Sequence, residues 1–404
     1  MYIQRHLENI IKETTAVFPI VLVTGPRQVG KTTMLKKISE KNRTYVTLDN
    51  PLIRELAVKA PSLFLQRYTP PLLIDEIQYA PDLLPYIKMY VDENKKKGDF
   101  WLTGSQMFHQ MKNVSESLAG RVAVIQMSGL SASEIKNETS QIYTTGYGSL
   151  SAKLKSKKKE SLQDVYKRIW KGSMPALYEN EQNIEIYYSS YVNTYLQRDI
   201  KDLTQIADEL TFMRFMTSCA ARTSQMVNYT DLAKDIGISS PTAKQWLSIL
   251  VSSGVIVLIE PYFNNALKRI IKAPNMYFMD TGLCAYLTRW TNPDALEVST
   301  MARPFFETYI VSEIVKSYYN SGICPALFYY RDSDNKEIDL LIENNNILYP
   351  IEIKKSGTPK KEFIKHFAVL EKTGKEIGTG NVICFIDDLL PVDNNNYYVP
   401  AWLV

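Results

Sequence analysis

The sequence predicts an α/β chain: a P-loop domain on a parallel sheet, then a helical segment, a winged helix-turn-helix and a second α/β domain. Three observations carry this. Residues 20–33 read as a buried strand, a Gly-rich loop and the start of a helix. Strands alternate with helices through residue 128, which argues a parallel sheet. From residue 228 two capped helices precede a hairpin, and a run of strands begins at residue 327.

Residues 3–16 read as an amphipathic helix, with Ile3, Leu7, Ile10 and Ile11 near helical spacing. Ile20 to Val23 form the first strand. Gly25-Pro26-Arg27-Gln28-Val29-Gly30-Lys31-Thr32-Thr33 then matches a P-loop in its confirming context, strand before and helix after. Glycines let backbone N–H groups curl around phosphate oxygens. The helix N-terminus adds partial positive charge. Lys31 is placed to reach the β- and γ-phosphates of ATP, and the Thr32 hydroxyl to ligate Mg²⁺. The role of Arg27 stays open.

Tyr45 to Leu48 read as the next strand. Pro71-Leu72-Leu73-Ile74-Asp75-Glu76 is another apolar strand ending in two acids. Asp75 fits the Mg²⁺-holding aspartate and Glu76 the glutamate that polarises the attacking water. Residues 82–94 read as a helix. Phe100 to Thr103 form a strand running into Gly104-Ser105-Gln106, so Thr103, Ser105 and Gln106 are candidates to sense the γ-phosphate, against a simple capping turn. Val122 to Met127 form a further strand. Whether a strand separates the loop-bearing strand from the Asp-Glu strand is not decided by the residues.

The stretches GPRQVGKTT (25–33), LLIDEIQYAPDLLPYIK (72–88), WLTGSQMFHQMKNVSESLAGRVAVIQMSGLSASE (101–134) and YVNTYLQRDI (191–200) resemble a bacterial and archaeal group of AAA-type P-loop ATPases. Members carry a C-terminal domain of unknown function similar to restriction-endonuclease-like folds. The resemblance covers nearly the whole chain. It implies the ATPase class with a catalytic Glu, ATP hydrolysis, and Mg²⁺ as the ion. It makes Arg121, in Leu118-Ala119-Gly120-Arg121, a candidate for contacting the γ-phosphate in the same subunit or a neighbouring one. The alternative is a structural Arg.

Composition sets the bounds. The chain has 404 residues, about three domains at roughly 150 residues each. Apolar residues at 45% and charged residues at 22% are those of a globular protein. A formal charge of +4 neither demands nor excludes nucleic acid; a local basic surface matters more. Cys219, Cys284, Cys324 and Cys384 lie far apart, with no metal-ligand or disulfide-framework spacing. They read as reduced and mostly buried, which suits the cytoplasm. The N-terminal residues are too polar for a signal peptide. No apolar run approaches the ~18 residues of a membrane span.

The domain division that follows is residues 1–140 for the ATPase core, 141–225 for a linker and helical lid, 226–300 for the winged helix and 301–404 for the endonuclease-like domain. Thr144 to Lys159, with Lys153, Lys155, Lys157, Lys158 and Lys159, reads as a solvated linker or a phosphate-backbone contact. Trp170-Lys171-Gly172-Ser173-Met174-Pro175 and Tyr195 to Asp199 resemble family signatures; Arg198 and Asp199 could face nucleotide or the next domain. Asn228 to Ser239 reads as a capped helix, a Gly turn and a second cap, and Ser240 to Ser253 as the following helix. In DNA readers that second helix enters the major groove. Ser240, Thr242, Lys244 and Gln245 would face DNA, with Lys268, Arg269 and Lys272 on the wing; protein docking is the equal alternative.

The last segment opens with an amphipathic helix through Phe305, Phe306, Glu307, Ile310, Ile314 and Val315. Glu337 to Ile342 is a strand bearing Asp339, and Ile347 to Ile353 a strand leading to Lys354. Alternation puts Glu352 and Lys354 on one face. The order resembles a restriction-endonuclease-like core, in which Glu307, Asp339 and Glu352 would bind a divalent metal and Lys354 would orient water. An inactive module of the same fold is the alternative. The implied partners are ATP, DNA, a protein at the C-terminal domain, and a second copy of the chain.

Overall fold

In a computed structural model, residues 2–104, 118–139, 141–179, 182–195, 209–263 and 273–404 are described. Helix α1 (Leu7–Val17) buries Leu7 and Ile11. Strand β1 (Ile20–Thr24) is buried along its whole length, as a central parallel strand is. There follow α2 (Lys31–Ile38), β2 (Thr44–Thr47), α3 (Pro51–Lys59), α4 (Pro61–Arg67), β3 (Leu72–Asp75), α5 (Leu83–Asn94), β4 (Phe100–Gly104) and β5 (Val122–Gln126). All five strands are parallel, in the order β2-β3-β4-β1-β5.

So β4 stands between β1 and β3, the point the residues left undecided. Alternation along the strands feeds two cores. Val21, Val23, Leu73 and Trp101 face one; Ile20, Leu22, Leu72, Ile74, Phe100 and Leu102 face the other. The register pairs Val23 with Thr103 and Thr47 with Asp75, so the loop, Asp75 and Thr103 share the carboxyl edge of the sheet. Ligands of such sheets bind at that edge.

After β5 come α6 (Ala132–Ile135), α7 (Tyr147–Ser156), α8 (Leu162–Lys171), α9 (Ala176–Glu179), α10 (Ile184–Tyr195) and α11 (Glu209–Ala221). The lysine-rich stretch is not a solvated linker. Within it α7 buries Leu150 and Lys153, and the Lys153 ammonium sits 5.5 Å from the centre of the Tyr143 ring. Lys157 pairs with Glu138 at 3.5 Å and Lys159 with Asp387 at 2.7 Å. Long lysine stems cover apolar surface while their heads find acids and rings, so composition overstates their solvation. Burial, then Lys157, lowers the Lys153 ammonium to about 8.

Next are β6 (Gln225–Met226), α12 (Tyr229–Ile236), α13 (Ser240–Ser252), β7 (Ile256–Pro261) and β8 (Asn275–Phe278). Asn228 and Ser239 cap the two helices with their side chains, and Gly237 makes the turn at φ 75°. β6, β8 and β7 pair antiparallel. The chain continues with α14 (Thr281–Leu287), α15 (Pro293–Glu297), α16 (Ala302–Tyr319), β9 (Leu327–Arg331), β10 (Glu337–Asn344), β11 (Ile347–Ile353), β12 (Glu376–Ile377), β13 (Gly380–Cys384), β14 (Leu390–Pro391) and β15 (Asn396–Pro400).

β7 pairs parallel with β9, so one sheet runs across residue 300. Helix α16 is not amphipathic: Phe305 through Lys316 are buried without interruption. It is sealed on every side, and its charges are matched locally, Lys316 to Glu313 at 2.8 Å. The four cysteines are free, with only Cys324 exposed. No helix among the described residues is long and apolar enough to cross a membrane.

A buried ion pair ties the start of the chain to this frame. Arg5 Nε donates to Glu134 Oε1 at 3.0 Å, and its other nitrogens donate to the carbonyls of Val29, Ser128 and Gly129. Burial alone would raise the Glu134 carboxyl; the Arg5 charge and four hydrogen bonds override it and hold the group below its ordinary range. Arg5→Ala leaves an uncompensated buried carboxylate and should cost about 3–5 kcal/mol in urea unfolding. The pair's contribution is in place above the unfolded glutamate value, about 4.3. It is lost as pH falls through the lower folded value. Unfolding midpoints for Arg5→Ala equal to the parent's would show that the pair does not anchor the fold.

Candidate functional site

The P-loop leaves the end of β1 at Gly25, which packs directly against backbone. A Cβ on Gly25, at φ 144°, would lie 1.9 Å from the Met127 carbonyl oxygen. Gly30 enters α2 at φ 91°, and Gln28 between them is left-handed at φ 61°. Lys31 is buried, and its Nζ donates to the carbonyls of Gly25 at 2.8 Å and Pro26 at 2.7 Å. Val29 is buried, Arg27 half-buried and Thr33 exposed.

Asp75 is the centre of the polar network. Its Oδ1 accepts from Thr32 Oγ1 at 2.6 Å and from Thr103 Oγ1 at 2.5 Å. Its Oδ2 accepts from the Tyr45 hydroxyl at 3.1 Å. Burial, reinforced by Asp75, pushes that phenol up to about 12. Glu76 is left-handed at φ 59°, an unfavourable conformation for a glutamate and one that clusters at functional sites. Its N–H donates to Thr103 Oγ1 at 3.1 Å, and the Gln78 side-chain amide donates to its carboxylate. Thr103, expected as a phosphate sensor, is therefore turned onto the two acids.

Two contacts join the loop to later segments. The Tyr187 hydroxyl on α10 donates to Gln28 Oε1 at 2.8 Å. Gly254, at φ 74° after α13, lies so close to Pro26 that an added Cβ would meet its ring carbons at 3.0 Å.

Arg121 lies away from the loop. It precedes β5, whose Val122 pairs with Ile20 at the amino edge of the sheet. Four residues of strand, about 13 Å, separate that edge from the loop. Its guanidinium is bound to Asp92 at 2.9 and 3.2 Å and to the Ala119 carbonyl. It does not reach the phosphate loop of its own chain.

The C-terminal groups do converge. Lys354 Nζ is 3.6 Å from Asp339 Oδ2 and forms a close ion pair with Glu352. Asp339 Oδ2 also accepts the Ile353 N–H at 2.7 Å, and Glu307 Oε1 accepts the Tyr277 hydroxyl at 3.0 Å. Burial first, then Asp339, raises both Glu307 and Glu352. Among the described residues no group of three or more His, Cys, Asp or Glu stands in metal-binding geometry. The ammonium of Lys354 lies against two of the carboxylates, and Tyr277 engages the third.

On the helix-turn-helix, Lys244 and Gln245 are exposed, while Ser240 and Thr242 are half-buried. Thr242 Oγ1 is tied to the Ser239 hydroxyl at 2.7 Å. Ser105, Gln106, Arg198, Asp199, Lys268, Arg269 and Lys272 lie outside the described residues. Sequence reasoning missed Tyr45, Gln78, Tyr187 and Gly254. Only Tyr45 had a signal, as part of an expected strand.

Residues 17–136 match the family described as "AAA domain". Residues 162–294 and 304–404 match two families described as domains of unknown function, DUF8612 and DUF4143. The chain is 29% identical over 347 residues to uncharacterized proteins of Mycobacterium tuberculosis (Rv2008c) and Mycobacterium bovis (Mb2031c), covering 84% of this chain and 71% of each of those. Among solved structures it is similar to the Walker-type ATPase PABY2304 of Pyrococcus abyssi, at 13% identity and a TM-score of 0.45, covering 69% of this chain and 94% of that one.

Thr103→Val keeps the shape of a fully buried side chain and removes its hydroxyl. The Glu76 N–H then loses its acceptor, and the cost should be about 1–3 kcal/mol. Urea unfolding measures it; a variant as stable as the parent would remove Thr103 from the network.

Proposed function

The chain carries an AAA-type P-loop ATPase domain and, C-terminal to it, a domain of unknown function; from that premise we propose that it hydrolyses ATP with Mg²⁺ and couples turnover to its helix-turn-helix. The observation that carries this is Asp75 held against Thr32 at the mouth of a loop containing Lys31, with Glu76 adjacent. Thr32 Oγ1 and Asp75 Oδ1 are hard oxygen donors 2.6 Å apart, a donor set that fits Mg²⁺. The ion would neutralise charge on the phosphate oxygens. Lys31 exchanges its carbonyl partners for the phosphates, and the loop N–H groups between Gly25 and Gly30 cradle them. Glu76 orients the water and takes its proton.

Movement of Pro26 and Gln28 on binding is transmitted to Gly254 and Tyr187. Lys244 and Gln245, exposed near the start of α13, supply the face that would read DNA. Arg121, bound to Asp92 at the far edge of the sheet, would contact a nucleotide only in a neighbouring copy; the structural arginine remains the alternative.

A second reading, a signal-transducing ATPase whose C-terminal modules dock protein without cutting nucleic acid, is favoured by one observation: Lys354 already pairs with Glu352 and Asp339. The two readings part in an ATPase assay with added duplex DNA. The DNA reading expects stimulation, and binding that weakens steeply with salt. Lys244→Ala should lower the salt slope by about one unit. No binding at low salt by a folded protein would move the module to protein docking.

The hydrolytic reading has its own test. Lys31→Ala should lose tight ATP binding. Glu76→Gln should keep binding and lose turnover by about 10²–10⁴-fold, since only water activation is removed. Unchanged turnover in Glu76→Gln would end that assignment.

A further inference from the structure

A cavity of about 710 Å³ lies among α8, α10, α11, α12 and α14. That is the size of a small-molecule site, conventionally about 300–1,000 Å³. None of its lining residues belongs to the phosphate loop. Trp170, Tyr286 and Trp290 supply flat walls, and Arg214, Arg222 and Arg289 supply charge.

The three arginines are not equivalent. Arg222 is committed to Asp235 at 2.5 Å and to the Ser218 hydroxyl at 2.8 Å. Arg214 and Arg289 are exposed, and among the described residues neither guanidinium has a hydrogen-bond or ion-pair partner. Glu185 is the one lining acid besides Asp235, so cation exceeds anion by one.

Two further features are unexplained by folding alone. Trp290 gives its carbonyl to the Trp170 indole N–H at 2.8 Å, yet its own indole N–H is buried with no partner. Arg289 is left-handed at φ 63°, just beyond the C-cap of α14, where glycine is the natural residue. A non-glycine residue kept in that conformation points from strain to function.

We infer that this cavity binds a small anion bearing a flat aromatic ring, with the ring between the indole and phenol walls and the anion on Arg214 and Arg289. Guanidinium groups recognise carboxylate and phosphate through paired, charge-assisted hydrogen bonds. They also stack on aromatic faces.

The probe is 1-naphthyl phosphate, titrated into the full chain with excess ADP present to occupy the phosphate loop. Quenching of tryptophan fluorescence and isothermal calorimetry follow binding. One saturable site is expected, with inorganic phosphate and 1-naphthalenemethanol each binding at least about tenfold more weakly, because each lacks half of the contacts. Arg214→Ala and Arg289→Gly should each weaken the probe by about tenfold, the loss of one charge-assisted contact. Arg289→Gly should also melt no lower than the parent, since glycine relieves the backbone; a purely structural arginine would lower it. Repeating the titration in Lys31→Ala, without ADP, separates the cavity from the loop and decides the test, since ADP is itself an aromatic anion that competes for the cavity. Absence of saturable binding, binding untouched by both arginine substitutions, or inorganic phosphate binding as tightly as the probe would each overturn the site.

Discussion

The fold depends on a buried guanidinium. Arg5 lies under the phosphate loop and serves four acceptors on three segments: Val29 in the loop, Ser128 and Gly129 after β5, and Glu134 on α6. Taking two charges out of water is expensive, and their attraction repays it only when the remaining donors and acceptors are satisfied. Here they are, since Glu134 also accepts the N–H groups of His6 and Ser131. The consequence is positional. With the Val29 carbonyl held by Arg5 and Gly25 pressed on Met127, both ends of the loop are referenced to the segment after β5.

That segment is in turn bolted to the rest of the chain. The Leu130 N–H reaches the Ser173 carbonyl at 2.7 Å, and the Ala132 N–H reaches Glu313 at 2.7 Å. Asp280 accepts from Ser173, Tyr188 and the Leu283 N–H, closing α8, α10 and α14 around one carboxylate. A single apolar core then takes residues from all three matched stretches, including Val23, Phe215 and Phe306. Modules that are separate in sequence are therefore not separate in packing. Pro26 and Gly254 are in direct contact across this packing, which is where the proposed coupling would pass.

What was legible in the sequence was whatever is local. The loop could be read because glycines, lysine and hydroxyls sit next to one another in the chain. Asp339, Glu352 and Lys354 could be read because strand alternation is local too. Tyr45 and Gln78 could not be assigned, since their partners depend on which strand neighbours which and on a left-handed turn at Glu76. The lysines around α7 misled because polarity is a property of side-chain ends, whereas burial acts on stems. Helix α16 misled because an all-round buried helix shows the same apolar spacing as a one-sided one, and Glu313 and Lys316 hide their pairing from a residue-by-residue reading.

The C-terminal cluster shows how the right residues can sit together without making the expected chemistry. Three carboxyl groups share the Lys354 ammonium, with the Arg303 guanidinium also acting on Glu307. Burial raises Glu307 and Glu352, with Asp339 adding to both, and Lys354 only partly opposes this at Glu352. Lys354, Tyr277 and the Ile353 N–H serve as the cluster's donors. A divalent cation entering there would have to displace that ammonium from Glu352 and Asp339. The same arrangement joins α16 to β8, β10 and β11 through polar contacts. One acceptor is left over, since Glu352 Oε2 is buried with no hydrogen-bond partner among the described residues, so the network is not closed as it stands.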